Sequence, residues 1–387
     1  MRWDGTVVLE DSMHKGWAVV FDKRITYVGP SEAAPGMPDQ VYSYIVPGLI
    51  DVHTHGGGGE SFPDATTIDQ VKTAAQSHLS SGTTTMLAST VSAAIPVLEE
   101  RAKLLAEATD KGIVAGIHFE GPFLSEARCG AQDPRFLIPA DEQSMQRLME
   151  AAGGHARSMT IAPEFADLPS LKVLADAGAI PSWGHTDSSQ QVAQEAIKNG
   201  MDVLQGRQRA SVTHLFNGMR PLHHRDPGPI PAFLEAAADG EVVVEMICDG
   251  VHLDPGLVKS IVEIVGRENC VFVTDSMAAA GLGDGTYTLG PQMVRVENGT
   301  ARLLHGGSIA GGTSHLADCV RIATMTGGLP LVDAVWMAST QGAKMFGWND
   351  RGSITVGKRS DLLALDTHLQ PAAVVREGLP VEVPVSQ

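Results

Sequence analysis

Two histidines one residue apart, His53 and His55, close the apolar run Pro47-Gly48-Leu49-Ile50-Asp51-Val52, and four glycines follow at Gly56–Gly59. On an extended strand residues i and i+2 share a face, so this spacing sets two imidazoles side by side. Neutral imidazole suits zinc, iron, nickel and copper. The pair alone is a weak signal. At the end of a buried strand that opens into glycines it stands where barrel strands place their catalytic groups. Other apolar runs stop in the same way. Ile113–Phe119 ends at Glu120, Trp183-Gly184 at His185, Val212-Thr213 at His214, and Val271–Thr274 at Asp275.

Three ligands and an open position make a catalytic metal site. Glu120, His185 and His214 could supply one such site, and His53 and His55 could hold a second ion with Glu120 shared between the two. A cation held this way activates water as a nucleophile. Asp275 is then placed to take the water's proton and pass it to the leaving group. His78 and His118 read instead as satisfied, buried imidazoles. The donor set expects one or two divalent ions per subunit, with zinc ahead of iron, manganese or cobalt.

These residues need a frame that brings strand ends together. Residues 47–349 alternate short apolar runs with amphipathic stretches, which predicts a (β/α)8 TIM-like barrel. The strands are expected at 48–53, 83–90, 113–119, 159–163, 179–184, 211–214, 241–248 and 270–274. Helices are expected at 69–81, 94–111, 140–152, 168–177, 190–199 and 255–267. Residues 1–46 and 350–387 carry short β-type runs, including a hairpin turning at Asp22-Lys23-Arg24. Each end is too small to stand alone, so the two are expected to pair into one small β-sandwich domain.

The 387 residues carry 28 Lys and Arg against 45 Asp and Glu, a net charge of −17. That balance speaks against general nucleic-acid or anionic-membrane binding. A local cationic pocket for an anionic small molecule remains open, and Pro221-Leu222-His223-His224-Arg225-Asp226 is a basic cluster of that kind. Arginine offers a bidentate fork to a phosphate dianion. Cys129, Cys248, Cys270 and Cys319 lie far apart with no C-x-x-C, which points to reduced thiols and a cytoplasmic setting. The first ten residues have no apolar h-region, and no run is long and apolar enough to span a bilayer.

The motifs, taken together, resemble the amidohydrolase superfamily, and within it the N-acetylglucosamine-6-phosphate deacetylase family. The resemblance runs in order over nearly the whole chain. It includes P-G-L-I-D-V-H-T-H-G at 47–56, H-F-E-G-P-F-L at 118–124, A-P-E at 162–164, G-H-T at 184–186 and T-H-L-F-N-G-M at 213–219. D-G-V-H at 249–252, V-T-D-S-M at 273–277 and G-S-I-T-V-G-K-R-S-D-L at 352–362 complete it. H-F-E-G-P and T-H-L-F-N are specific to the subgroup, whereas H-x-H and the tail motif mark the superfamily.

The resemblance implies hydrolysis of N-acetyl-D-glucosamine 6-phosphate to D-glucosamine 6-phosphate. It implies Glu120, His185 and His214 as core ligands, Asp275 as general base and then acid, and a second metal where both His53 and His55 are present. It also implies substrate contacts at Ala131, Gln132, Asn217, Gly218, Arg225, His252, Ile309, Ala310 and Gly311. In the family the arginine and the D-G-x-H histidine serve the phosphate across a dimer interface, so a homodimer is expected.

One segment departs from the family. Many members carry a histidine where Gln132 stands, and a basic residue where Cys129 stands. A glutamine amide donates a hydrogen bond but carries no charge. Cys129 is expected on a loop bordering the mouth, where alkylation or oxidation would slow turnover. Dihydroorotase-like and hydantoinase-like readings are disfavoured, because the bridging position carries Glu120 and not a lysine. A deacetylase of N-acetylgalactosamine 6-phosphate stays open, since one inverted hydroxyl leaves no trace in sequence. A non-catalytic scaffold would be expected to have lost ligands that this chain retains.

Overall fold

The structure, a computed structural model, describes residues 1–383. Eight parallel strands pair each with the next: β1 (Leu49–Thr54), β2 (Thr83–Ser89), β3 (Ile117–Glu120), β4 (Ala156–Ile161), β5 (Ile180–Trp183), β6 (Ala210–Val212), β7 (Val242–Met246) and β8 (Cys270–Phe272). Their residues are all buried but one, the pattern of parallel strands covered on both faces. Past β8 the chain returns to β1. Asp275 N–H donates to His53 O at 2.9 Å and His55 N–H donates to Ser276 O at 2.7 Å. The Thr274 hydroxyl adds a bond to Asp51 Oδ2 at 2.6 Å, so the sheet closes into a (β/α)8 barrel.

The helices between strands follow from caps and apolar stripes. Ser189 caps Gln190–Leu204, whose Ala193, Ala196, Ile197, Gly200 and Leu204 are buried at spacings of three and four. Thr67, Asp141, Asp167 and Asp254 cap four other helices through their side chains. All eight strands overlap the stretches where the sequence predicts them, with ends shifted by up to four residues. β3 starts late because Gly116 leaves the extended region at φ +149°, and β4 stops before Pro163 opens a single turn.

Four helices escape the pattern reading: Ile230–Ala238, Leu316–Met325, Leu331–Val335 and Gln341–Met345. The first reads Ile-Pro-Ala-Phe-Leu-Glu-Ala-Ala-Ala, with only one polar residue to mark a solvent face. A three-stranded antiparallel sheet (Gly285–Leu289, Gln292–Glu297, Thr300–Leu303) is inserted after β8 and was likewise not foreseen.

Both ends of the chain enter one further sheet of seven strands. Arg2–Val8 pairs with Met13–Phe21 and with Gln40–Pro47, and Leu362–Leu365 pairs on the other side of Gln40–Pro47. The sheet wraps its own apolar cluster of Trp3, Phe21, Ile25, Ile45, Ile354, Leu362 and Val375. This small β domain meets the barrel where Gln40–Pro47 runs through Gly48 into β1. Gly48 N–H donates to Asp361 O at 2.8 Å. A Cβ on Gly48 would stand 2.4 Å from Thr84 Oγ1 and 2.6 Å from Thr84 Cγ2, closer than side chains approach. Gly48→Ala is therefore expected to wedge β1 away from β2 and cost about 1–3 kcal/mol. A denaturant midpoint equal to wild type would refute that reading of the junction.

Candidate metal centre

Six strand-end side chains meet at the mouth of the barrel. Glu120, at the end of β3, lies centrally. Its Oε1 is 3.1 Å from His185 Nε2 and 3.1 Å from His214 Nε2, and those two nitrogens are 3.1 Å apart. On the other side His53 Nε2 and His55 Nε2 are 3.2 Å apart. His55 Nε2 reaches Glu120 Oε2 at 3.3 Å and Asp275 Oδ1 at 3.1 Å, while His53 Nε2 stands 3.6 Å from each carboxylate.

Three of the six are turned inward by an uncommon backbone. His185 (φ +47°), His214 (φ +29°) and Asp275 (φ +47°) occupy the left-handed region just past their strands. Side chains other than glycine sit there at a cost on the order of 1–3 kcal/mol each, and such residues gather at functional sites. The turn takes each chain off its ladder and swings the side chain across the opening.

The donor atoms fit a metal. Two ligands about 2.1 Å from a tetrahedral ion are roughly 3.4 Å apart. Glu120, His185 and His214 meet that spacing within a few tenths of an ångström. His53 Nε2 and His55 Nε2 stand 3.1–3.6 Å from one another and from the Glu120 and Asp275 oxygens, and each set could hold one ion. Lone pairs that face one another this closely repel unless a proton or a cation lies between them. Electrostatics agree. Burial opposes charge on His53, yet Glu245, Glu120 and Asp275 raise it to about 10. His55 is raised to about 8, against its burial, by Asp275 and Glu120. Asp275 falls to about 2 in spite of burial because His55 and His53 face it. Glu120 is likewise held well below its usual range by the imidazoles around it.

A ring of partners fixes these groups. His185 Nδ1 donates to Arg128 O at 2.9 Å, and Gly218 packs so close that a Cβ there would be 2.9 Å from that nitrogen. Glu245, in the apolar strand Val242–Met246, accepts from His53 Nδ1 at 3.0 Å and from His214 N–H at 3.2 Å. Sequence reading passed over Glu245, although a lone carboxylate in Val-Val-Val-Glu-Met is itself a signal. Gln132 has a fixed orientation. Its Oε1 accepts from Ser92 N–H at 2.7 Å, so its NH2 group faces Glu120 Oε2 and donates to it. His118 bonds Ser158 and Thr160, and His78 bonds Gly56 O. Burial pushes both imidazoles down, His78 to about 3, so they stay neutral and structural.

The cluster opens into a cavity of about 310 Å³. Ala131, Gln132, Asn217 and Gly218 line it, as do His252, Ile309 and Gly311, and Leu289 reaches it from the tip of the inserted sheet. Ala310 is buried behind that wall. Asn217 Nδ2 donates to His214 O at 3.2 Å, and His252 Nδ1 is held by Asp249 Oδ2 at 2.8 Å. Arg225 lies apart, exposed on the 221–226 loop, with Nη1 on His224 Nε2 at 2.8 Å. Cys129 sits beside Gly130 but does not line the cavity. Burial and the nearby Glu126 and Asp133 carboxylates push its thiol up, which makes it a poor nucleophile. A larger cavity of about 630 Å³ lies at the foot of the barrel, near Arg207, Arg209 and Lys344, and offers no ligand set.

Imidazoles must be neutral to bind a metal. In metal-free protein below about pH 8, His55 and His53 carry protons, so an incoming divalent ion must displace them. Metal uptake is expected to release protons and to tighten as pH rises from 6 to 8. Calorimetric titrations with zinc in buffers of different ionisation enthalpy measure this directly. Uptake without proton release, equally tight at both pH values, would contradict the geometry.

Comparison with known proteins places the site in context. The amidohydrolase family profile matches residues 44–383. An N-acetylglucosamine-6-phosphate deacetylase of Bacillus subtilis is 32% identical over 391 residues, covering 97% of this chain and 95% of its own. An N-acetylgalactosamine-6-phosphate deacetylase of a Shewanella strain is 33% identical, covering 85% and 81%. A solved structure of an aspartate-to-alanine mutant of the Mycobacterium smegmatis N-acetyl-D-glucosamine-6-phosphate deacetylase, in complex with N-acetyl-D-glucosamine-6-phosphate, is 36% identical. It superposes with a TM-score of 0.91 over 99% of both chains. The profile spans the whole barrel and most of the small domain's second half, and on that footing the chain belongs to the amidohydrolase family.

Proposed function

We propose that this chain hydrolyses the acetamide of N-acetyl-D-glucosamine 6-phosphate, giving acetate and D-glucosamine 6-phosphate. The observation that carries the reading is the union, in one cavity, of two ligand sets around Glu120 with the Asp275 carboxylate beside them. Relatives named for this reaction, matched over nearly the full chain, supply the substrate.

A divalent cation held by Glu120, His185 and His214, and a second by His53 and His55, would supply Lewis acidity toward the amide carbonyl and the attacking water. We take zinc as the ion. Asp275, whose Oδ1 stands 3.1 Å from His55 Nε2, is the carboxylate placed to accept the water's proton. It then returns that proton to the amine nitrogen as the carbon–nitrogen bond breaks, so the base of the first step is the acid of the second. Gln132 steadies Glu120 and keeps a second N–H for the carbonyl. We assign the sugar to the wall formed by Ala131, Asn217, Gly218, Ile309, Ala310 and Gly311. We assign the phosphate to His252 together with Arg225 of a second copy in a homodimer. Arg225 is exposed and lies off its own chain's cavity, which suits a residue that serves a neighbour. The free cysteines suit a cytoplasmic enzyme.

Acetate release from a panel of N-acetylhexosamine 6-phosphates, with metal content measured alongside, tests the reading. The glucosamine derivative is expected to turn over fastest. A preference for the galactosamine epimer would move the assignment to that relative, and no acetate from any member would end it. Asp275→Asn is expected to fold and bind the sugar yet lose turnover by orders of magnitude, because the proton route goes while Glu120, His185 and His214 stay. Near-normal activity of that variant would overturn the role of Asp275. Arg225→Ala is expected mainly to raise KM for the phosphorylated sugar and to leave unphosphorylated N-acetylglucosamine, a poor substrate, unaffected. An equal effect on both would remove Arg225 from the phosphate site.

A further inference from the structure

Glu245 is a buried carboxylate at the mouth that neither ligand set uses. It is 1% exposed, in a strand otherwise made of Val242, Val243, Val244 and Met246. A buried carboxylate is costly unless paired, and for stability alone an apolar residue of similar volume serves as well or better. Its contacts give the reason for its presence. Oε2 accepts from His53 Nδ1 on β1 and from the His214 backbone N–H just past β6. One oxygen on β7 therefore touches a member of each ligand set.

The contact with His53 decides a tautomer. A carboxylate that accepts from Nδ1 places the ring proton there and leaves the Nε2 lone pair pointing at Glu120 and Asp275. The other imidazoles have weaker supports. His185 Nδ1 has a neutral backbone carbonyl, and His55 Nδ1 and His214 Nδ1 are buried with no partner. His53 is thus the imidazole made most electron-rich by its surroundings. The contact with His214 acts differently. It holds the N–H of a residue at φ +29° and so keeps that side chain turned toward Glu120.

We propose that Glu245 is a positioning residue of the metal centre: it sets the affinity of the ion bound through His53 and His55, and fixes the backbone from which His214 reaches the other. The proposal rests on the metal-dependent reading above, but only on its ligand sets and not on its substrate.

Chelator competition against the zinc-loaded protein tests it, with metal stoichiometry and affinity as the readout. Glu245→Gln keeps an acceptor of the same shape and removes the charge. The expected result is an affinity at least about tenfold weaker for one of two ions, with the other near wild type. Glu245→Leu removes both bonds and is expected to weaken both ions while the protein remains folded by circular dichroism. Wild-type affinities for both ions in Glu245→Gln and Glu245→Leu would overturn the proposal. So would an equal loss at both sites in Glu245→Gln, which would mark a general loosening of the mouth. A wild-type protein that binds two ions but releases no acetate would overturn the substrate assignment and leave this one standing.

Discussion

Everything at the mouth of this barrel answers to one constraint: negative charge has been buried and must be compensated on the spot. Glu120, Asp275 and Glu245 are all removed from water within hydrogen-bond reach of imidazoles. An isolated buried carboxylate would cost several kcal/mol, or would take up a proton and cease to be a base. Here the opposite holds. The imidazoles keep Glu120 and Asp275 ionised, and the carboxylates in turn raise His53 and His55. Each group makes its neighbour's charge tolerable, and the whole cluster is arranged for a cation to complete it.

Such a cluster needs a frame stiffer than loops provide, and the barrel supplies it in two ways. At the β1–β8 seam the closing hydrogen bonds run through the functional residues themselves, from Asp275 N–H to His53 O and from His55 N–H to Ser276 O. The Asp275 carboxylate and the histidine pair therefore belong to one ladder and cannot drift apart without opening the barrel. On the far side, His185 and His214 are held by left-handed turns, a stacked glycine at Gly218 and the carbonyl of Arg128. The small β domain takes part through Gly48, whose bond to Asp361 fixes the point where β1 begins.

Much of this was legible in the residues. His53, His55, Glu120, His185, His214 and Asp275 stand out because each ends a short apolar run, and eight such runs imply a closed ring of strands. What sequence did not disclose depends on contacts between distant segments. Glu245 looks like any strand residue until β1 and β6 are seen on either side of it. Leu289 belongs to a polar antiparallel insertion whose tip reaches the cavity only through folding. Ile230–Ala238 buries one face through Ile230, Ala232, Phe233, Ala236 and Ala237, but its exposed side carries Ala238 beside Glu235, so the sequence shows no polar stripe. The left-handed backbone of His185, His214 and Asp275 had no sequence signature, since none of them is a glycine.

The glutamine at 132 shows how the same constraint shapes a departure from the family. Ser92 N–H occupies its oxygen, so only the NH2 group can face the centre, and one of its hydrogens goes to Glu120. A histidine in that place could take up a proton and add a positive charge beside Glu120, in a pocket that already holds four imidazoles. The amide donates without titrating. It therefore keeps donating to Glu120 at every pH at which that carboxylate is ionised. On the proposed reading, the charge that polarises the substrate carbonyl would come from the cations that the cluster would hold and not from residue 132, which would tie turnover in this chain more tightly to metal occupancy than a histidine would.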